Sequence, residues 1–328
     1  MNYKAPVLLL LLLSIAAFCP AQSLKKEQKN RSLKILLISD LNDSYGSVTY
    51  SQEVHDMVSR IKGINPDMIL CGGDMVAGQK ASLSPEQVGA MWRGFDTAVL
   101  SPVYRLQVPF GFTLGNHDAS PGYATDRAAA SAFWLKNKER ANLAFVDDTH
   151  YPYYFSYIKN NVFFISWDAS SAIIPPAMKD WMRHQLASAI AKKARGRIVL
   201  GHLPLYAIVA AKNKPGEVLN DADETLAFLK ENKADMYISG HQHAYFPAAK
   251  NKVTLLHSGC LGGGPRQLLG HDAPAQKSYA ILEIKKRRKK LTVSIKGFAA
   301  AGHHDIPLTA LPETITGFNG TVQRTDIR

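Results

Sequence analysis

The sequence predicts a mixed α/β fold, with two β-sheets packed as a sandwich and helices outside. Three observations carry that prediction. Short apolar runs of strand length alternate with helically periodic stretches over the first part of the chain. Consecutive strand-like runs follow later, the mark of an antiparallel portion. Several apolar runs also end at Asp, Asn or His, residues that gather on the rim of open α/β sheets.

Taken in order, the first residues read as a leader. Lys4 precedes the leucine-rich run Val7 to Phe18, and Cys19-Pro20-Ala21 offers small residues before a cut. This is the pattern of a secretory signal peptide over residues 1–21, cleaved after Ala21, which implies a periplasmic or secreted protein. The apolar run is too short for a comfortable transmembrane span. A lipoprotein reading at Cys19 is disfavoured by the bulky Phe18 before it. Residues 22–32 are polar and read as a flexible lead-in.

The main domain is expected over residues 33–300. Ile35 to Ser39, Met68 to Cys71, Phe110 to Leu114, Ile198 to Leu200 and Met236 to Ser239 read as buried strands. Gln52 to Ile61, Gln87 to Leu100, Asp126 to Asn137, Lys179 to Lys193 and Ala222 to Asn232 read as helices, with Trp181, Met182, Leu186 and Ile190 on one stripe. Tyr153 to Ile158 and Val162 to Trp167, joined through Asn160-Asn161, read as a hairpin. Val253 to His257, Tyr279 to Ile284 and Leu291 to Ile295 complete the β runs. Residues 301–328 form an extension without a readable pattern.

The formal net charge is +12, and the run from Lys285 to Lys290 contributes strongly to it. The run lies between two strands and reads first as a solvated hairpin tip, second as an attractor of anions. It lacks the interleaved aromatics of a single-stranded nucleic-acid surface, so no nucleic-acid partner is expected. Beyond the leader only Cys71 and Cys260 remain, too few for a disulfide-built fold; a buried thiol is the first reading of Cys71. No later segment reads as membrane-spanning, and oligomeric state is not legible.

The strand ends carry the chemistry. Asp40, Asp74 after Gly73, Asn116-His117-Asp118 after Gly115, His202 after Gly201, and His241 and His243 in Gly240-His241-Gln242-His243 each follow an apolar run. Carboxylate and amide oxygens with imidazoles suit zinc, iron or manganese. One carboxylate, Asp74, can bridge two ions. Asp40 can hold one ion, and Asn116 the other. In an extended segment His241 and His243 fall on one side. A metal pair roughly 3.5–4 Å apart can clamp an in-line displacement and acidify a bridging water. Gly259 to Arg266 reads either as a turn or as backbone N–H groups and Arg266 facing a phosphate. His257 reads as packed in its strand and His303-His304 as an exposed pair. Tyr151, Tyr153, Tyr154 and Trp167 read as core or rim aromatics.

These blocks resemble the calcineurin-like metallophosphoesterase superfamily from about Lys34 to Gly264. Gly201-His202-Leu203-Pro204-Leu205-Tyr206 and Ser258 to Gly263 are most similar to its purple-acid-phosphatase-like branch. The resemblance implies a four-layer α/β/β/α sandwich and a dinuclear centre. It implies Asp40, Asp74 and His243 around one metal, and Asp74, Asn116, His202 and His241 around the other. It implies that His117 contacts the phosphate or protonates the leaving oxygen, with Asn116 and Arg266 also toward substrate. Two positions depart from the pattern. Asn42 stands where the family has a His, and Ala77 where the purple branch has a Tyr and other members an Asp that orients the His117 equivalent. Asn42 could ligate through its amide oxygen, or Asp43, Tyr45 or a water could fill the place. The metal beside Asn42 is therefore expected to bind more weakly.

The resemblance implies an exported, metal-dependent phosphohydrolase of a small phosphorylated substrate, with monoesters favoured. The alternatives are a phosphodiesterase, cyclic nucleotides included, and a non-catalytic phosphate-ligand binding protein with a degenerate first metal site. A purely adhesive or scaffold role leaves the metal residues unexplained.

Overall fold

The computed structural model describes residues 32–287 and 290–327. The leader 1–21, nearly all of the lead-in 22–32 and the tip of the basic run fall outside the described residues. Within them the predicted sandwich is present. Fifteen strands form two sheets flanked by helices.

The first sheet begins with β1 (Leu33–Ile38), β2 (Met68–Cys71) and β3 (Phe110–Phe112), all parallel. It continues on the other side of β1 through the antiparallel β11 (Ser278–Arg287) and β12 (Lys290–Ala299) to the short β13 (Asp305–Ile306). The second sheet has β6 (Val162–Ser166), β7 (Gly196–Leu200), β8 (Met236–Ser239) and β10 (Val253–Ser258) parallel at its centre. β5 (Tyr154–Lys159) and β4 (Phe145–His150) extend one edge, and β9 (Tyr245–Lys250), β15 (Gly320–Arg324) and β14 (Thr314–Gly317) the other. The central strands are mostly apolar and buried because both faces are covered.

Register aligns the site. Ile38 pairs with Cys71, and Cys71 with Phe112, so the first three strands end in one rank. Leu200 pairs with Ile238, and Ser239 with His257, in the second sheet. Both parallel blocks therefore open their C-terminal ends toward the loops that carry Asp40, Asp74, Asn116, His202, His241 and His243.

Local signals explain most helices. Gln52–Ile64 buries Val54, Met57 and Ile61, and ends at Asn65 in the left-handed region at φ 50°. Pro85–Phe95 starts on a capping box in which Ser84 and Gln87 exchange hydrogen bonds. The expected helix through Leu100 instead passes into a π turn over Asp96–Leu100 and a further helix, Ser101–Arg105. The expected single helix from Lys179 to Lys193 is two, Pro176–Ala187 and Ala189–Lys193. Ser188 leaves the helical region at ψ 156°, and its Oγ accepts the Ala191 N–H at 3.1 Å, so it caps a new helix. The β5–β6 hairpin turns on Asn160 and Asn161 at φ 44° and 59°, the signs of a type I′ turn.

The chain beyond residue 300 adds β13 to the first sheet and the β14–β15 hairpin to the second. Cys71 and Cys260 are buried free thiols. Among the described residues no helix is long and apolar enough to cross a membrane.

Candidate metal centre

The turns after the strands are unusual in their backbone. Asp40, Asp74, His241 and His243 all lie at positive φ, 50°, 52°, 67° and 54°. Such a conformation costs a non-glycine residue about 1–2 kcal/mol. The surroundings enforce it. Asp40 N donates to Gly73 O at 2.9 Å, and Leu41 N and Asn42 N donate to Asp74 O. Glycines make the approach possible. A Cβ on Gly115 would sit 2.1 Å from Asp74 Oδ1, and one on Gly240 would sit 2.7 Å from Asp40 Oδ2.

These turns gather two ligand groups, Asp74 with His202 and His241, and Asp40 with Asp74 and His243. Asp74 belongs to both, and all five side chains are buried. In the first group His202 Nε2 lies 3.2 Å from Asp74 Oδ2, 2.9 Å from Asn116 Oδ1 and 3.3 Å from His241 Nδ1. His241 Nδ1 is 2.9 Å from the same Asn116 oxygen. In the second, His243 Nε2 is 3.0 Å from Asp40 Oδ1. Donor atoms take such separations when each lies roughly 2.0–2.2 Å from a common ion.

The hydrogen bonds on the far side of each ring fix which nitrogen faces inward. His202 Nδ1 donates to Gly72 O at 2.7 Å, and His243 Nδ1 donates to Gly264 O at 2.9 Å. His241 Nε2 donates to Glu217 Oε2 at 2.7 Å. A carbonyl or carboxylate can only accept, so each ring, when neutral, turns a lone pair toward the Asp and Asn oxygens. Lone pairs that face one another want a cation between them, and outer partners of this kind orient metal-binding imidazoles. Two buried oxygens, Asp74 Oδ2 and Asn42 Oδ1, accept no hydrogen bond from any described residue. The residues present thus fit a metal pair.

The electrostatics show how strongly the buried carboxylates draw positive charge to this place. Burial alone would raise Asp74, yet His202 and His117 hold it far below the ordinary carboxylate range. Burial alone would lower His202, but Asp74 and Asp40 raise it to about 9. Burial and then Lys212 push His241 down to about 3, the neutral state a ligand needs. Asp118, raised to about 7 by burial and by Asp74, is not a ligand. It accepts from Met75 N, Val76 N and Gly115 N, tying the turn after Asp74 to the turn after β3.

Asn116 and His117 open a four-residue helix, Asn116–Ala119, and their side chains diverge. Asn116 joins His202 and His241. His117 stands at the wall of a cavity of about 580 Å³ that Asn116 and His241 also line. Its Nδ1 donates to Gly78 O at 3.0 Å, and its ring packs against Tyr45 at 5.2 Å. The carbonyl of Gly78 thus takes the orienting part that Ala77 cannot. Arg266 lines the same cavity, and its buried Nη1 meets no described partner. His257 is packed inside β10.

Sequence reading missed four contributors. Gln79 Oε1 accepts Asn116 Nδ2 at 2.6 Å. Glu217 holds His241, and Lys212 Nζ lies 3.1 Å from the same ring. Gln242 Oε1 accepts Ile208 N and Val209 N, and its Nε2 donates to Glu217 O, fastening the loop that carries both. The loop from 201 to 221 has no periodicity to read. Its one signal is length beside a ligand-bearing strand end.

Comparison with known proteins adds the family. The sequence profile of the calcineurin-like phosphoesterases matches residues 33–245, a span that includes every ligand residue above but not Arg266. No curated protein matches the chain. Among solved structures, GAP50, the anchor in the inner membrane complex of Plasmodium, is similar at 17% identity and TM-score 0.53, over 84% of this chain and 87% of that one. Purple acid phosphatase PPD1 from yellow lupin (Lupinus luteus) seeds is similar at 12% identity and TM-score 0.59. That match covers 85% of this chain and 53% of the lupin chain. At such identities the likeness is one of fold.

Proposed function

The chain belongs to the calcineurin-like phosphoesterase family of metal-dependent phosphoester hydrolases, and from that premise we propose that it is an exported two-metal phosphohydrolase acting on phosphomonoesters. The observation that carries the reading is the sharing of Asp74 by two buried ligand groups. Asp40, Asp74, His243 and the unpartnered Asn42 Oδ1 would hold one ion; Asp74, Asn116, His202 and His241 would hold the other. Iron, zinc or manganese suits this donor set. When bound, such ions supply charge neutralisation at the phosphoryl group and acidify the attacking water.

The chain's own residues do the rest. His117, with its Nδ1–H committed to Gly78 O, has Nε2 as the atom that passes a proton to the leaving oxygen. Tyr45 limits the ring's rotation from one side. Arg266 and Asn116 reach the phosphate from the cavity wall. Export rests on the leader from Met1 to Ala21, and the monoester preference on the branch that the sequence resembles.

A phosphodiesterase is the second reading, and a phosphate-binding protein the third. The third is kept in view by Asn42, an amide where an imidazole is expected. The test is metal content per chain after purification, followed by an aryl phosphate and an aryl phosphodiester with manganese, zinc or iron. Two metals and faster monoester cleavage support the proposal. Faster diester cleavage moves the chain to the second reading, and one metal or none with no turnover moves it to the third.

A further inference from the structure

Lys212 and Arg266 come from two loops far apart in sequence, yet both line the cavity that Asn116, His117 and His241 also line. The loops are joined by backbone. Val209 forms a β-bridge with Leu268, and Leu269 N donates to Ile208 O at 2.8 Å. Gln242 fixes the first loop again by accepting Ile208 N and Val209 N. The two loops that carry these cations are therefore fastened to each other beside the cavity.

Protein carboxylates match this charge only in part. The Lys212 side chain is 13% exposed, and its one ion pair among the described residues, with Glu217 at 3.5 Å, is long. Glu217 is committed more closely to His241, at 2.7 Å. Arg266 makes no ion pair among the described residues, and its buried Nη1 has no partner. A largely buried ammonium and a guanidinium with one buried, unpartnered nitrogen gain from an anion that offsets their desolvation. A single anion serving both should carry more than one charge. A terminal phosphate does, at roughly −1.5 to −2 near neutral pH. A phosphodiester carries one charge and offers fewer free oxygens.

We propose that Lys212 and Arg266 form a two-cation clamp on the non-bridging oxygens of a dianionic phosphate, and that Lys212 selects monoesters over diesters. The inference rests on the hydrolase reading above and names its substrate class.

The experiment compares wild type with Lys212→Met, Arg266→Met and Lys212→Arg. It measures kcat/KM on para-nitrophenyl phosphate and on bis-para-nitrophenyl phosphate, metal content, and inorganic phosphate affinity by calorimetry. Each Met variant should lose roughly 10- to 100-fold on the monoester and in phosphate affinity, the scale of a hydrogen bond to a charged group. The diester rate should change far less, metal content should hold, and Lys212→Arg should recover most of the loss. Equal losses on both esters, unchanged phosphate affinity, or metal lost from Lys212→Met would each overturn the clamp. If wild type cleaves neither ester, the hydrolase reading falls. The clamp is then judged on phosphate affinity alone, and Met variants that bind as wild type does reject it.

Discussion

Gln79 Oε1 accepts the amide Nδ2 of Asn116 at 2.6 Å, which turns the Asn116 carbonyl oxygen onto His202 Nε2 and His241 Nδ1, each 2.9 Å away. The amide of Asn116 can ligate through oxygen only while something holds its nitrogen outward. Gln79 is itself fixed, at φ 65°, by its N–H donating to Asp126 Oδ2 at 2.7 Å.

Gln79→Ala should therefore lower metal affinity or turnover by roughly 10- to 100-fold, the range for outer-sphere partners of metal ligands. Melting temperature should move little. Metal titration of both proteins checks it; a variant equal to wild type in affinity and rate means that Asn116 is held by other contacts.

Asp74→Asn should release metal from both groups, because each loses its shared carboxylate. Hydrolysis should vanish while the circular dichroism of the fold persists. Wild type saturated with metal at about 100 times its dissociation constant gains about 2.7 kcal/mol, which a chelator should remove. In a domain of this size that is on the order of 5 °C of melting temperature. The variant should show no chelator effect, and two metals with normal turnover in Asp74→Asn would remove the bridging role.

His117→Asn should reduce turnover by roughly 10²- to 10⁴-fold, as expected for a general acid–base group. The loss should shrink as the leaving group improves, since a good leaving group needs less protonation. A series of aryl phosphates gives the slope. A loss constant along the series would assign His117 to orienting phosphate instead.

Asn42→His should tighten the ion beside Asp40. Asn42 is 7% exposed and its Oδ1 lacks a described partner, so an imidazole would replace a weak donor in place. Under limiting metal the variant should hold more ions per chain, read by elemental analysis. Two equivalent tight sites in wild type, unchanged by the substitution, would mean that a different group completes the coordination.

Much of this was legible in sequence because it is local. The apolar runs before Asp40, Asp74, His202 and His241 are strands by composition, and a strand end exposes the next residues to the rim. Block order, with the family resemblance it carries, therefore pointed to the sandwich and to the residues that the structure brings together at its rim. What could not be read depends on partners distant in the chain. Gln79 meets Asn116 across 37 positions, and Glu217 meets His241 across 24, through loops without periodicity. Ala77 suggested an unoriented His117, yet the neighbouring Gly78 carbonyl, placed by the turn, orients it. The break at Ser188 and the strands beyond residue 300 were likewise hidden, since β14 and β15 find their place only against β9. The sequence by itself determined which donor chemistry sits at the strand ends, because side-chain identity and hydrophobic pattern are written there. Only the tertiary structure decided which nitrogen of each imidazole faces inward, which cations border the cavity, and how four ligand residues are held at positive φ. Those features follow from hydrogen bonds and close contacts that form when two sheets and their loops pack together.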